Sequence, residues 1–134
     1  MPDPPESALI KKLGFKDGAR VTLLNAPAGF REELGALPKG VKLIGVQSPL
    51  DLILFFPESR EELDNKFAKL AAKLAPTGAL WVAWPKQAAG VETDLSFDLV
   101  QQIGLGAGLV DNKVCAINEV WSALRFVVRR ADRG

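Results

Sequence analysis

The chain has 134 residues, 48% of them hydrophobic and 25% charged, with a net charge of +1. That balance suits one globular domain with a single core, and it gives no field to draw the chain to DNA or RNA. It contains no histidine and no tyrosine, so a Ser-His-Asp triad, a Cys-His pair and a histidine-ligated metal site are excluded, and no metal is expected.

The segment 1–6 reads as a flexible N-terminus without the basic flank or apolar stretch of a signal peptide. Ser7 caps a short helix over Ala8 to Leu13, and Gly14 stops it. Lys16-Asp17-Gly18 is a turn. Arg20 to Leu24 is the first strand, broken by Asn25-Ala26-Pro27-Ala28-Gly29. Phe30 and Leu34 share one face of a short helix. A second strand is expected over Val41 to Val46, ended by Gln47-Ser48-Pro49, and a third over Asp51 to Phe56. The unbroken apolar run of the third suits a strand buried on both faces of a parallel sheet.

Ser59 and Glu62 form a capping box. The helix it opens carries an apolar stripe of Leu63, Phe67, Leu70, Ala71 and Leu74, and Ala75-Pro76-Thr77-Gly78 is expected to stop it. Ala79 to Trp84 is the fourth strand, with Trp81 and Trp84 on opposite faces, and Pro85 to Leu95 is its long exit loop. Ser96 caps another helix, which ends among Gly104, Gly106 and Gly108. Two last strands, Val110 to Ile117 and Ala123 to Val128, are joined closely enough for an antiparallel hairpin with Trp121 in its turn. Trp121 there reads as a packing or interface anchor. Cys115, alone and in an apolar strand, reads as a buried, inert thiol. No apolar run approaches the ~20 residues of a membrane span. The segment 131–134 reads as a solvated tail.

Strands alternating with helices predict one domain over residues 7–130. It is an α/β, three-layer Rossmann-like sandwich, mostly parallel, with a C-terminal antiparallel hairpin. Ligands of such sheets bind beyond the C-terminal strand ends. That rule selects Asn25, Gly29, Ser48, Trp84, Lys86, Thr93 and Asp94 as ligand-binding candidates, with Glu58 as a further polar group. Lys86 is suited to a phosphate or carboxylate. Thr93 and Asp94 are suited to a sugar hydroxyl or to capping the next helix. No catalytic residue announces itself.

Two resemblances bear on this reading. Leu80-Trp81-Val82-Ala83-Trp84-Pro85-Lys86, Gly90, Thr93-Asp94-Leu95, the stretch from Gly108 to Ala116, and Trp121-Ser122-Ala123-Leu124-Arg125 resemble a family of short bacterial proteins known only as a domain of unknown function. The opening Val21-Thr22-Leu23-Leu24-Asn25-Ala26-Pro27 fits it too. The resemblance implies a bacterial, cytoplasmic, stand-alone domain and no particular activity. More loosely, Leu74-Ala75-Pro76-Thr77-Gly78-Ala79-Leu80 and the terminal hairpin resemble class I S-adenosylmethionine-dependent methyltransferases. The chain departs from those enzymes in three ways. Their glycine-rich cofactor loop is replaced by Asn25-Ala26-Pro27-Ala28-Gly29. Gln47 and Ser48 stand where an acidic residue would hold the ribose. The chain is also about one βα unit short. S-adenosylmethionine is therefore disfavoured and the cofactor is left open.

On sequence the favoured function is a non-catalytic regulatory or binding module. The alternatives are a small enzyme of methyltransferase or nucleotide-binding type using the crevice, and a structural subunit. The expected partners are another protein, a second copy of the chain or a small molecule, and neither nucleic acid nor a membrane.

Overall fold

The computed structural model describes residues 7–129; the expected loose segment at 1–6 and the tail at 131–134 lie outside the described residues. Local chemistry sets the helix ends. Ser7 Oγ accepts from the Ile10 amide at 3.1 Å, and Gly14 takes the left-handed conformation that ends α1 (Ala8–Leu13). Ser59 Oγ accepts from the Glu62 amide to open α3 (Arg60–Ala71), and Ser96 Oγ accepts from Leu99 to open α4 (Phe97–Gly106). The five-residue α2 (Phe30–Leu34) buries the two apolar residues spaced four apart.

The strands are β1 (Arg20–Leu24), β2 (Lys42–Leu43), β3 (Leu50–Phe55), β4 (Leu74–Pro85), β5 (Leu109–Ala116) and β6 (Trp121–Val128). They form one six-stranded sheet in the order β2-β1-β3-β4-β6-β5. The first four are parallel, and β6 runs antiparallel to both β4 and β5. The expected Rossmann-like sheet with a closing antiparallel hairpin is therefore present.

Alternation along the strands sends residues to two cores. On one face Val21, Leu52, Leu54 and Trp81 pack against Ile10 and Leu13 of α1 and Phe30 and Leu34 of α2. On the other, Ile53, Phe55, Leu80, Val82 and Trp84 pack against Leu63 and Phe67 of α3 and Val100 of α4. The two tryptophans thus fall on opposite faces, and Trp81 Nε1 donates to the Leu13 carbonyl at 2.9 Å. The last helix lies close to the sheet because Gly104 has no Cβ, which would overlap the Phe126 ring. No helix among the described residues is long and apolar enough to cross a membrane.

Two segments differ from expectation. The second strand is paired only at Lys42 and Leu43. The Ile44 amide still donates to the Val21 carbonyl, but the chain then crosses the sheet. Thr22, buried and hydroxylic, holds that crossing by donating to the Ile44 and Gly45 carbonyls, both at 3.0 Å. Residues 75–78, expected to stop a helix, instead begin a twelve-residue strand, and α3 ends at Ala71. Pairing explains this: the Leu50 amide donates to the Lys73 carbonyl at 2.8 Å, and Leu74 sits opposite Leu50. Gly78 fits there because a Cβ would come within 2.7 Å of the Leu50 carbonyl oxygen.

Candidate functional site

The parallel strands β1, β3 and β4 point their C-terminal ends to one edge of the sheet, and the antiparallel β6 brings its first residue, Trp121, to the same edge opposite Pro85. Between these ends lies an open crevice of about 300 Å³. Phe56 and Trp121 are in edge-to-face contact at 5.3 Å between ring centroids, and Phe30 backs Phe56 at 5.0 Å. Both Phe56 and Trp121 line the crevice, as do Asn25, Glu58, Glu92 and Thr93.

Asn25 ends β1 in the left-handed conformation (φ +60°), which asparagine tolerates better than most residues. Its Nδ2 donates to both carboxylate oxygens of Glu62 at 3.0 Å. Glu62 also accepts from the Glu58 amide and the Lys66 ammonium, each at 2.7 Å. Partial burial pushes the Glu62 carboxyl upward, but these three donors and the Lys66 charge outweigh it and hold the group below its ordinary value. The crevice wall at Asn25 is thus fixed by an anion that stays ionised.

A second cavity, of about 460 Å³, lies on the other side of the β4 exit loop, against the start of α4. Trp84, Leu95 and Phe97 give it apolar walls, and Pro85, Val91 and Thr93 are shared with the crevice. The segment from Lys86 to Asp94 is therefore a strap between two cavities. It is tied at both ends: the Lys86 amide donates to the Val120 carbonyl at 2.7 Å, and Asp94 Oδ1 accepts from the Arg60 amide at 2.9 Å.

The seven residues selected from the sequence are not all gathered. Asn25 and Thr93 line the crevice, and Trp84 and Thr93 line the second cavity. Gly29 caps α2 in the left-handed conformation, four residues beyond Asn25. Asp94 caps α3, not the helix that follows it, and Thr93 closes a local turn by accepting from the Leu95 amide at 3.1 Å. Lys86 is among the lining residues of neither cavity. Burial raises the pKa of Cys115, and the charges of Lys12, Lys113 and Lys86 oppose that rise. Ser48 requires a correction. It precedes β3 and sits beside Pro49, whose carbonyl accepts from Arg20 at the start of β1, so it lies at the opposite edge of the sheet from the crevice. The cause is the short β2, after which the chain crosses and descends before β3 begins.

Phe56, Val91, Glu92 and Trp121 are among the crevice-lining residues outside that selection. Trp121 could have been placed, because a hairpin strand antiparallel to β4 must start where β4 ends. Phe56 directly follows a strand and carried the same signal.

Among solved structures the chain is similar to a TehB-like SAM-dependent methyltransferase from Corynebacterium glutamicum, with 10% identity, a TM-score of 0.62, and coverage of 90% of this chain and 85% of that one. It is similar to a SAM-dependent methyltransferase from Aquifex aeolicus, with 15% identity, a TM-score of 0.58, and coverage of 90% and 88%. It is also similar to a precorrin-6y C5,15-methyltransferase from Geobacter metallireducens, with 8% identity, a TM-score of 0.64, and coverage of 90% and 86%. No protein-family model matches the sequence and no curated protein does, so the resemblance to a bacterial family of unknown function gains no support from them.

Two of these neighbours are SAM-dependent methyltransferases by name, so the residues here can be tested against that cofactor. After β1 a single glycine, Gly29, serves as a helix cap, Pro27 offers no amide, and the Pro27 carbonyl is taken by the Phe30 amide at 3.1 Å. Beyond β2 come Ile44 and Gly45, whose carbonyls are held by Thr22, with no carboxylate for a ribose. These residues do not fit that cofactor in the mode that uses a glycine-rich turn and an acidic second strand. The chain has a methyltransferase-like fold with an open crevice in the expected place and a different set of groups around it.

Proposed function

We propose that the chain is a small-molecule-binding protein of the methyltransferase type, working through the crevice at the ends of β1, β3 and β4, and that its ligand there is a neutral or cationic molecule with a flat ring. The observation that carries this reading is the crevice itself, which is open, walled by Phe56 and Trp121, and sited where parallel sheets take ligands. Its charge narrows the ligand class. Among the described residues Glu58 and Glu92 line it, and no lysine or arginine does. Two carboxylates repel a phosphate and attract an amine or a sulfonium. An aromatic wall adds stacking for a ring and a cation–π contribution. Asn25 Oδ1 and the Thr93 hydroxyl are the neutral polar groups for orientation.

The solved neighbours are enzymes of one reaction class and match nine-tenths of this chain. That favours the enzyme reading, of methyltransferase or nucleotide-binding type, over the non-catalytic module. One observation supports the module instead: the β1 loop lacks the glycines that let a backbone approach a nucleoside cofactor. Calorimetry and thermal shift with S-adenosylmethionine, adenosine and ATP test the proposal. Saturable heat with either of the first two, weaker with ATP, is expected, and Trp121→Ala should reduce it. Silence from all three at millimolar concentration, or a preference for ATP, would overturn it. Binding without methyl transfer to any offered acceptor would select the module.

A further inference from the structure

We infer that the second cavity, between Trp84 and the first turn of α4, is a separate binding site for an uncharged, flat aromatic molecule carrying an oxygen acceptor. Its volume of about 460 Å³ lies within the usual range for small-molecule sites. Among the described residues no charged one lines it, so a charged ligand would lose its hydration there without a partner. The floor is Trp84, only 6% exposed, and Phe97 stands over it in an edge-to-face pair at 6.0 Å and 70°. Such a corner receives a ring against one aromatic face and the edge of the other.

Two large apolar side chains at this cavity remain in water, Val91 at 49% and Phe97 at 39% exposed. Covering them with a ring removes that apolar surface from water. The polar groups point to the oxygen. Ser96 Oγ already accepts from the Leu99 amide at 3.2 Å, and Thr93 Oγ1 accepts from the Leu95 amide at 3.1 Å. Each hydroxyl therefore keeps its hydrogen to donate, and a phenol or aryl ketone oxygen can take it. This inference does not rest on the identity of the crevice ligand, although the two sites share Pro85, Val91 and Thr93.

Titration of the ¹⁵N-labelled chain with 2-naphthol, neutral at pH 7, tests it, with the three tryptophan indole resonances as separate reporters. The Trp84 resonance should shift and saturate, while Trp81, bonded to Leu13 on the other face, and Trp121, in the crevice, stay in place. Phe97→Ala should weaken binding roughly 3- to 10-fold, the loss of one aromatic contact. Gln87 is an exposed lining residue of this cavity, and Gln87→Trp, which puts a bulky ring there, should abolish binding. 2-Naphthalenesulfonate should bind far more weakly. A shift at Trp121 in place of Trp84, a response that never saturates, or equal binding of the sulfonate would each overturn the inference. Failure of the crevice reading shows instead as silence of Trp121 toward S-adenosylmethionine and adenosine, so the two failures are distinguishable.

Discussion

The crevice and the second cavity lie on two sides of one strap, share three residues, and differ in chemistry. The crevice has carboxylates on its rim and a carboxylate–amide cluster behind Asn25. The second cavity has no charged lining residue among the described residues, and its floor is aromatic. The difference follows from what each side of the strap faces. One side meets the N-terminal approach to α3, where Glu58 lines the crevice and Glu62, in the first turn, accepts from Asn25 and from the Glu58 amide. The other meets the first turn of α4, where Phe97 and the serine cap line the cavity and the acidic Asp98 does not.

Trp84→Ala should separate the two regions most sharply. Removing this buried ring should cost about 3–5 kcal/mol in urea denaturation. The floor of the second cavity would be lost, while the crevice response at Trp121 is kept. A cost below ~1 kcal/mol would mean that Trp84 is not part of the core that walls the cavity. Next in size is Asp94→Ala, which takes from the Arg60 amide its cap and should cost about 1 kcal/mol. Because Asp94 ties the strap, ligands of both cavities should weaken together. Weakening of one alone would show that the strap does not move as a unit.

The smallest effect is a pH dependence confined to the crevice side. Glu62 is held below its ordinary carboxylate value in the folded chain. The unfolded chain therefore binds its proton first as pH falls, so the stability it contributes is complete above the ordinary carboxylate range and is lost as pH falls through the folded value. Urea midpoints from about pH 7 down to about pH 3 should decline less steeply in Glu62→Gln than in the parent. Parallel declines would remove Glu62 from the account.

Most of the fold is legible in the sequence because its signals are local. Ser7 with Gly14, Ser59 with Glu62, and Ser96 each mark a helix end by chemistry within a few residues, and the structure uses all three. The capping glutamate does reach back, although to the Glu58 amide one residue beyond the cap. What is not legible depends on register. Leu74 continues the apolar stripe of α3 in sequence yet pairs with Leu50. Ser48 follows an apolar run that reads as a strand of six, of which two residues are paired. The candidate site was legible where a strand end alone defines it, as at Asn25 and Trp84. Trp121 needs one further step, the pairing of the hairpin strand with β4 that brings its first residue opposite Pro85. Thr93 and Asp94 read as polar groups of the loop; Thr93 lines both cavities, while the bond from Asp94 to α3 spans 34 residues and has no local sign.

A wall shared by two compartments has a thermodynamic consequence. Val91 and Thr93 can hold only one position at a time, so an occupant that draws the strap toward the crevice alters the room left on the α4 side. Linkage makes the effect mutual: the factor by which a crevice ligand changes affinity for an aromatic guest equals the factor by which the guest changes affinity in the crevice. The order in which the two are added therefore cannot alter the final occupancy, and a single measured coupling constant would describe both.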